Sequence, residues 1–279
     1  MNRVPGTRRR NVLCILALLC AGMVTGCSWR VVNWRPNPEV AHSERSFMSE
    51  GVRITVERMA PLRPGHYPAV LVLNPSSGTE SNGGRYIRRY ADQFALNGYV
   101  AYVVHYFDRT GTEASNDELE DRDFPIWTRT LSDAVTYVQH DSLVDSTRVG
   151  VFGYSLGAYM ALALGAVDRR VKALVVLGGG FFDALAPAVK RLPPTLLLHG
   201  SDDDIVPLRE ARKVDATLAR LGVAHELVVY PGEGHSLSAK TDPDVAARGI
   251  HFLDRHMRAP WWRRFTPTHT APAGTTHAD

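Results

Sequence analysis

The order of apolar and polar residues along the chain predicts its elements. Val52-Arg53-Ile54-Thr55-Val56 alternates, the period of a strand with one buried face. Ala69-Val70-Leu71-Val72-Leu73 is apolar without a break, as in a strand covered on both faces. Residues 85–97 change period: Tyr86, Tyr90 and Phe94, with Ile87 and Ala91, line one side of a helix, and Asn97-Gly98 stops it. The alternation then repeats. Strands are predicted at 100–104, 148–152, 171–177, 195–198 and 226–229, and helices at 125–140, 156–166, 207–221 and 242–257. Strands that alternate with helices imply an α/β fold: a mostly parallel central sheet with helices on both faces.

The two ends of the chain read differently. Basic residues up to Arg10 precede thirteen uncharged, mostly apolar residues at 12–24. That run is too short to span a bilayer and has the length of a signal-peptide core. Val24-Thr25-Gly26-Cys27 closes it and resembles a bacterial lipobox, in which the cysteine is lipidated and becomes the first residue. The general secretory route fits better than the twin-arginine one that Arg8-Arg9-Arg10 would permit. By resemblance to lipoprotein sorting, Ser28 after the cysteine points to the outer membrane, facing the periplasm. Residues 1–26 are thus expected to be a signal peptide, 27–47 a lipidated tether, 48–258 the folded domain, and 259–279 a loose tail rich in Thr, Pro and Ala. Trp29 and Trp34 suit either the membrane interface or packing on the domain, and Trp261-Trp262 are placed to dock on it.

Charge and cysteine content exclude several functions. The chain has 279 residues and a formal charge of +3, but residues 1–26 hold four arginines and no acid. Without them 28 basic and 29 acidic side chains remain, a net −1, so the balance offers no argument for nucleic-acid binding. Cys14, Cys20 and Cys27 are the only cysteines, which leaves the body of the chain without a disulfide, a thiolate metal site or a cysteine nucleophile.

Gly153-Tyr154-Ser155-Leu156-Gly157 matches G-x-S-x-G between a predicted strand and a predicted helix, the context of a nucleophile elbow. Glycines two residues either side leave room for a sharp turn, and the helix N-terminus aims backbone N–H groups at a developing oxyanion. An acid and then a histidine should follow in chain order. Three aspartates, Asp202, Asp203 and Asp204, stand after the strand at 195–198, where at least one is expected to cap the next helix. His235 lies in the glycine-rich loop Tyr230-Pro231-Gly232-Glu233-Gly234-His235. His251 and His256 fall on the last helix, His269 and His277 in the tail, and His199 reads as a support for the acid loop.

On G-Y-S-L-G, H-G-S-D-D-D-I-V-P and Y-P-G-E-G-H, residues 50–257 resemble the α/β-hydrolase superfamily and, within it, the dienelactone hydrolase-like group. The resemblance implies a Ser155–His235–Asp203 triad, with the acid at the fifth position of H-G-x-x-D-x-x-V-P. It also implies an oxyanion hole from the backbone N–H groups of Leu156 and Ser76, and no metal or organic cofactor. Two departures stand out. Dienelactone hydrolases proper carry cysteine at the elbow, where this chain has Ser155, and the arginine expected after the catalytic histidine is missing from Ser-Leu-Ser-Ala-Lys. Arg109 matches the family's other carboxylate-binding position and is equally readable as a surface arginine paired with Asp108 or an acid of the following loop. Residues 109–124 either shape the mouth of the site or carry solvated charges. The expected activity is hydrolysis of a small-molecule carboxylic ester by a serine enzyme held to the membrane through Cys27. A non-catalytic binding lipoprotein and a peptidase on the same triad are the alternatives. Nothing in the chain specifies an oligomeric state.

Overall fold

The computed structural model describes residues 34–182 and 189–257. Residues 1–26, expected to be a signal peptide, Cys27, Trp29 and the tail with Trp261 and Trp262 lie outside them. Eight strands form one sheet: β1 Val40–Ser49, β2 Val52–Pro61, β3 Tyr67–Leu73, β4 Val100–Val104, β5 Val144–Tyr154, β6 Val171–Leu177, β7 Thr195–Gly200 and β8 His225–Tyr230. Their order is β1-β2-β4-β3-β5-β6-β7-β8. The six strands from β4 to β8 are parallel, and β1 and β2 join antiparallel at one side. Helices α1 Asn82–Leu96 and α5 Asp242–His256 cover one face. Helices α2 Asp117–Gln139, α3 Leu156–Val167 and α4 Leu208–Arg220 cover the other. Every residue of β4 and nearly all of β3 is buried, which is why those segments read as unbroken apolar runs.

The structure corrects three expectations. The stretch assigned to a tether at 27–47 contains most of β1, so the folded unit starts earlier than residue 48. β1 is an edge strand that buries only Val40, Phe47 and Ser49, so it lacks the apolar alternation that would have marked it. Helix α2 starts eight residues before Pro125. Asn116 caps it by accepting from the Leu119 N–H at 3.0 Å, Asp117, Glu118 and Glu120 lie in its first turn, and the proline sits inside. No aspartate caps α4, whose first residue follows Pro207.

Trp34 packs on the domain. Its indole N–H donates to Asp92 Oδ2 on α1 at 2.8 Å, its ring meets His42 edge-on, and the Arg88 guanidinium lies 5.7 Å from its centroid.

The chain runs from β3 to β4 on one side and later returns to β5 on the other. Loops at the carboxyl ends of β3 and β5 therefore diverge and leave a crevice, the usual ligand site of an open α/β sheet.

Candidate active site

Ser155 sits in that crevice, between the end of β5 and the start of α3, with φ 56° and ψ −123°. A non-glycine residue at positive φ is strained, and such strain gathers at functional sites. The flanking glycines are explained by contact. A Cβ on Gly153 would lie 2.0 Å from the Gly157 carbonyl oxygen, and one on Gly157 would lie 2.3 Å from the Leu73 carbonyl oxygen and 2.8 Å from that of Asn74. The elbow thus presses directly against the end of β3 and brings the following Asn74-Pro75-Ser76 loop beside it. The Ser76 peptide is fixed from the far side, because its carbonyl accepts from the Ser115 N–H at 2.7 Å. Tyr106, buried on the short 3-10 turn Tyr106–Thr110 after β4, donates its hydroxyl to the Asn74 carbonyl at 2.9 Å. Residues 109–124 therefore pack on this loop in part. A Cβ on Gly78 would strike the Glu113 carbonyl oxygen at 1.9 Å. Burial, then repulsion from Asp117 and Asp121, pushes the Glu120 carboxyl up to about 7.

His235 Nε2 lies 2.9 Å from Ser155 Oγ, and His235 Nδ1 lies 2.8 Å from Asp203 Oδ2. Of the three aspartates only Asp203 is buried; Asp202 and Asp204 face solvent. Asp203 Oδ1 accepts from the backbone N–H groups of Val206 at 2.8 Å and Ile205 at 3.1 Å. His199 Nε2 lies 3.3 Å from Asp203 Oδ2 and 2.7 Å from the Val206 carbonyl. Burial would raise the Asp203 carboxyl, but hydrogen bonds from His199 and His235, the charge of His235 and the Val206 N–H outweigh it and hold the group below the ordinary carboxylate range.

The acid loop and the histidine loop are bound as one piece. Asp202 N–H donates to the Glu233 carbonyl at 2.9 Å and Ser201 N–H to the Tyr230 carbonyl at 2.9 Å. A Cβ on Gly200 would meet the Glu233 carbonyl oxygen at 2.2 Å. The Glu233 carboxylate accepts from Ser238 N–H at 2.7 Å and Ser238 Oγ at 2.6 Å, closing the loop that carries His235.

Two residues at this site carried no role in the sequence. Tyr154 packs against the His235 ring, tilted by 31° with centroids 5.2 Å apart, and shares a 2.9 Å hydrogen bond with Ser236 Oγ. Gly178, at φ 59°, passes under the His–Asp pair: a Cβ there would sit 3.4 Å from the imidazole and 3.6 Å from Asp203 Oδ2. The signal for the second was available in Gly178-Gly179-Gly180 directly after β6.

Arg109 is not brought to this group. Its guanidinium pairs with Glu50 at 2.5 Å, in the β1–β2 turn, and Arg129 pairs with the same carboxylate at 2.8 Å. The partner is neither Asp108 nor an acid of the following loop. β2 lies three strands from β5, roughly 14 Å at the usual strand spacing. Arg109→Ala should therefore change the KM values of a carboxylate-bearing ester and a neutral ester alike and by little, because exposed ion pairs contribute little. A rise confined to the acidic ester would return Arg109 to the pocket.

Among the described residues one group could in principle hold a metal: donor atoms of Glu57, Glu80 and His105 lie within 4.8 Å of one another. Arg88 already fills it. Its guanidinium contacts Glu57 at 2.5 Å and Glu80 at 3.2 Å, while His105 Nε2 lies 2.6 Å from Glu57. Burial opposes the Glu57 charge, but the hydrogen bonds from His105 and Arg88 prevail and lower its carboxyl from 4.5 to about 2. The stability this confers is complete above pH 4.5 and disappears as the pH falls towards 2. Glu57→Gln should lower the thermal midpoint at neutral pH, and the gap from the parent chain should close over that acid range. A gap independent of pH would mean that the charge is not the source.

The sheet order, the elbow at the end of β5 and the loops after β7 and β8 define an α/β hydrolase. The chain belongs to the dienelactone hydrolase family, whose family model matches residues 55–263. An uncharacterized protein of Mycobacterium tuberculosis is 27% identical over 96% of this chain and 98% of its own length. A dienelactone hydrolase-like promiscuous phosphotriesterase from metagenomic libraries superposes with a TM-score of 0.67 at 18% identity, covering 78% of this chain and 99% of that one. A puromycin-hydrolyzing peptidase of Mycobacterium tuberculosis superposes with a TM-score of 0.66 at 17% identity, over 81% of this chain and 41% of that one. At these identities the superpositions show a shared fold.

Proposed function

We propose that this protein is a serine hydrolase of carboxylic esters. The observation that carries the reading is the unbroken chain Ser155 Oγ, His235 Nε2, His235 Nδ1, Asp203 Oδ2, with contacts of 2.9 and 2.8 Å. Ser155 Oγ attacks the ester carbonyl while His235 takes its proton and passes it to the departing alcohol. Asp203 keeps the Nδ1–H tautomer and stabilises the imidazolium, and its own contacts with His199, Ile205 and Val206 leave it no freedom to turn away. The oxyanion is assigned to the backbone N–H groups of Leu156, first residue of α3, and Ser76, in the loop that Gly157 presses against. Water activated by His235 then releases the acid. The same proposal includes lipidation at Cys27 after removal of residues 1–26, supported by the apolar run at 12–24 and the Val-Thr-Gly-Cys junction.

A fluorophosphonate probe tests the reading. It should add one adduct, on the peptide containing Ser155, and block turnover of a simple aryl ester. A folded chain that neither labels nor hydrolyses the ester would favour a binding role for the fold. Faster cleavage of aryl amides than of esters would favour a peptidase.

A further inference from the structure

We infer that Tyr154, the residue before the nucleophile, is the positioning residue that holds His235 in line with Ser155. Tyr154 has this part only where His235 serves as the base, as proposed above. Successive residues at the end of β5 point to opposite sides. Ser155 opens to the crevice, and Tyr154 turns with Phe152 into the buried apolar layer beneath α1 and α5. Its ring meets the Tyr86 ring edge-on, with centroids 5.1 Å apart and planes at 63°. Tyr86 is itself fixed: its hydroxyl donates to Asp242 Oδ1 at 2.9 Å and accepts from the Tyr90 hydroxyl at 2.8 Å. The Tyr154 phenol is therefore a rigid post, packed between the sheet and two helices.

The free end of that post meets the histidine. Besides the ring contact described above, the Tyr154 hydroxyl donates to the His235 carbonyl at 3.4 Å and shares the 2.9 Å bond with Ser236 Oγ. With Ser236 as the donor in the second bond, one hydroxyl serves both contacts. Apart from the imidazole's bonds to Ser155 and Asp203, every hydrogen bond of His235 and Ser236 among the described residues goes to this hydroxyl. The other ties of the loop stop short of them: the Glu233 carboxylate holds Ser238 and Thr241, and the acid loop holds the carbonyls of Tyr230 and Glu233. Buried phenols find a hydrogen-bond partner as a rule. Tyr86 and Tyr90 direct theirs to the Asp242 carboxylate, whereas Tyr154 directs its own to the segment that carries the base. Because Tyr154 and Ser155 are consecutive, one peptide unit and one phenol set the separation of nucleophile and base. An imidazole free to swing about its bond to Asp203 would let Nε2 drift from Ser155 Oγ, a misplacement that lowers rate rather than binding.

The test measures turnover of p-nitrophenyl acetate by variants of the full chain. Tyr154→Phe keeps the ring and removes the hydroxyl, and Ser236→Ala removes its partner at an exposed position. Each should lower kcat about tenfold at an unchanged KM, the effect of one lost hydrogen bond. The double variant should fall no further than Tyr154→Phe, because both changes break the same bond. Ser236→Thr keeps a hydroxyl and should retain most of the parent rate. Tyr102→Phe is the structural control: it strips a buried phenol of its 2.9 Å bond to Asp141, beyond the end of β5 away from Ser155, and should leave kcat unchanged. A kcat within about twofold of the parent in both Tyr154→Phe and Ser236→Ala overturns the inference. So do losses that multiply in the double variant, or an equal loss in Tyr102→Phe that follows the thermal midpoint. If Tyr154→Phe fails to fold, the contrast between Ser236→Ala and Ser236→Thr decides alone. A parent chain without turnover brings down the hydrolase reading and this inference together, while a parent that turns over beside unaffected variants brings down this inference alone.

Discussion

Ser155→Ala should reduce aryl-ester hydrolysis by roughly 10⁴-fold or more while leaving the fold intact. Removing a nucleophile from a coupled triad costs about as much as removing the triad, and what remains comes from the oxyanion donors and binding. The fold survives because, among the described residues, the side-chain hydrogen bond of Ser155 Oγ is to His235 Nε2, and alanine keeps the Cβ that the turn already accommodates. Circular dichroism and the thermal midpoint should match the parent chain. A rate near that of the parent would exclude Ser155 as the nucleophile, and a collapsed midpoint would show that the hydroxyl holds the elbow together.

The second large effect is expected at Asp203. Asp203→Asn places an N–H₂ or a weaker acceptor where His235 Nδ1 now meets a charged oxygen at 2.8 Å, with His199 Nε2 a further donor at 3.3 Å. The imidazole then favours the tautomer that cannot accept the serine proton. A loss of roughly 10⁴-fold in kcat follows from that switch in comparable triads. Asp202→Asn and Asp204→Asn should stay close to the parent, because both side chains face solvent. The comparison has a second axis. The Asp203 carboxyl is held below the ordinary carboxylate range, so loss of activity on mild acidification should not come from protonating this acid. Greater sensitivity at 202 or 204 would transfer the acid's role to that residue.

Parts of this arrangement were legible in the sequence for clear reasons. Gly153, Ser155 and Gly157 stand between a strand and a helix whose apolar periods differ, so local pattern alone located the elbow. His235 stood out because it lies in a glycine-rich loop at a strand end while other histidines fall on a helix. Asp203 could not be separated from its neighbours by local pattern, only by the family's spacing. Burial distinguishes the three, and burial here depends on β8 and His199. The partner of Arg109 was beyond reach, since Glu50 lies 59 residues earlier in a turn that only sheet pairing brings near. β1 escaped because an edge strand can be mostly polar. Pro125 misplaced the start of α2 because proline favours a first turn, and the stronger signal, the Asn116 cap with three acids behind it, lay upstream.

The positive φ of Ser155 sets catalysis against stability at a single residue. A side chain held in that region raises the energy of the folded state by roughly 1–3 kcal/mol, and glycine would relieve it. Ser155→Gly should therefore melt higher than Ser155→Ala while both are equally inactive. A screen of this chain for heat resistance alone would tend to discard its nucleophile, so any stabilised variant has to be selected for turnover at the same time.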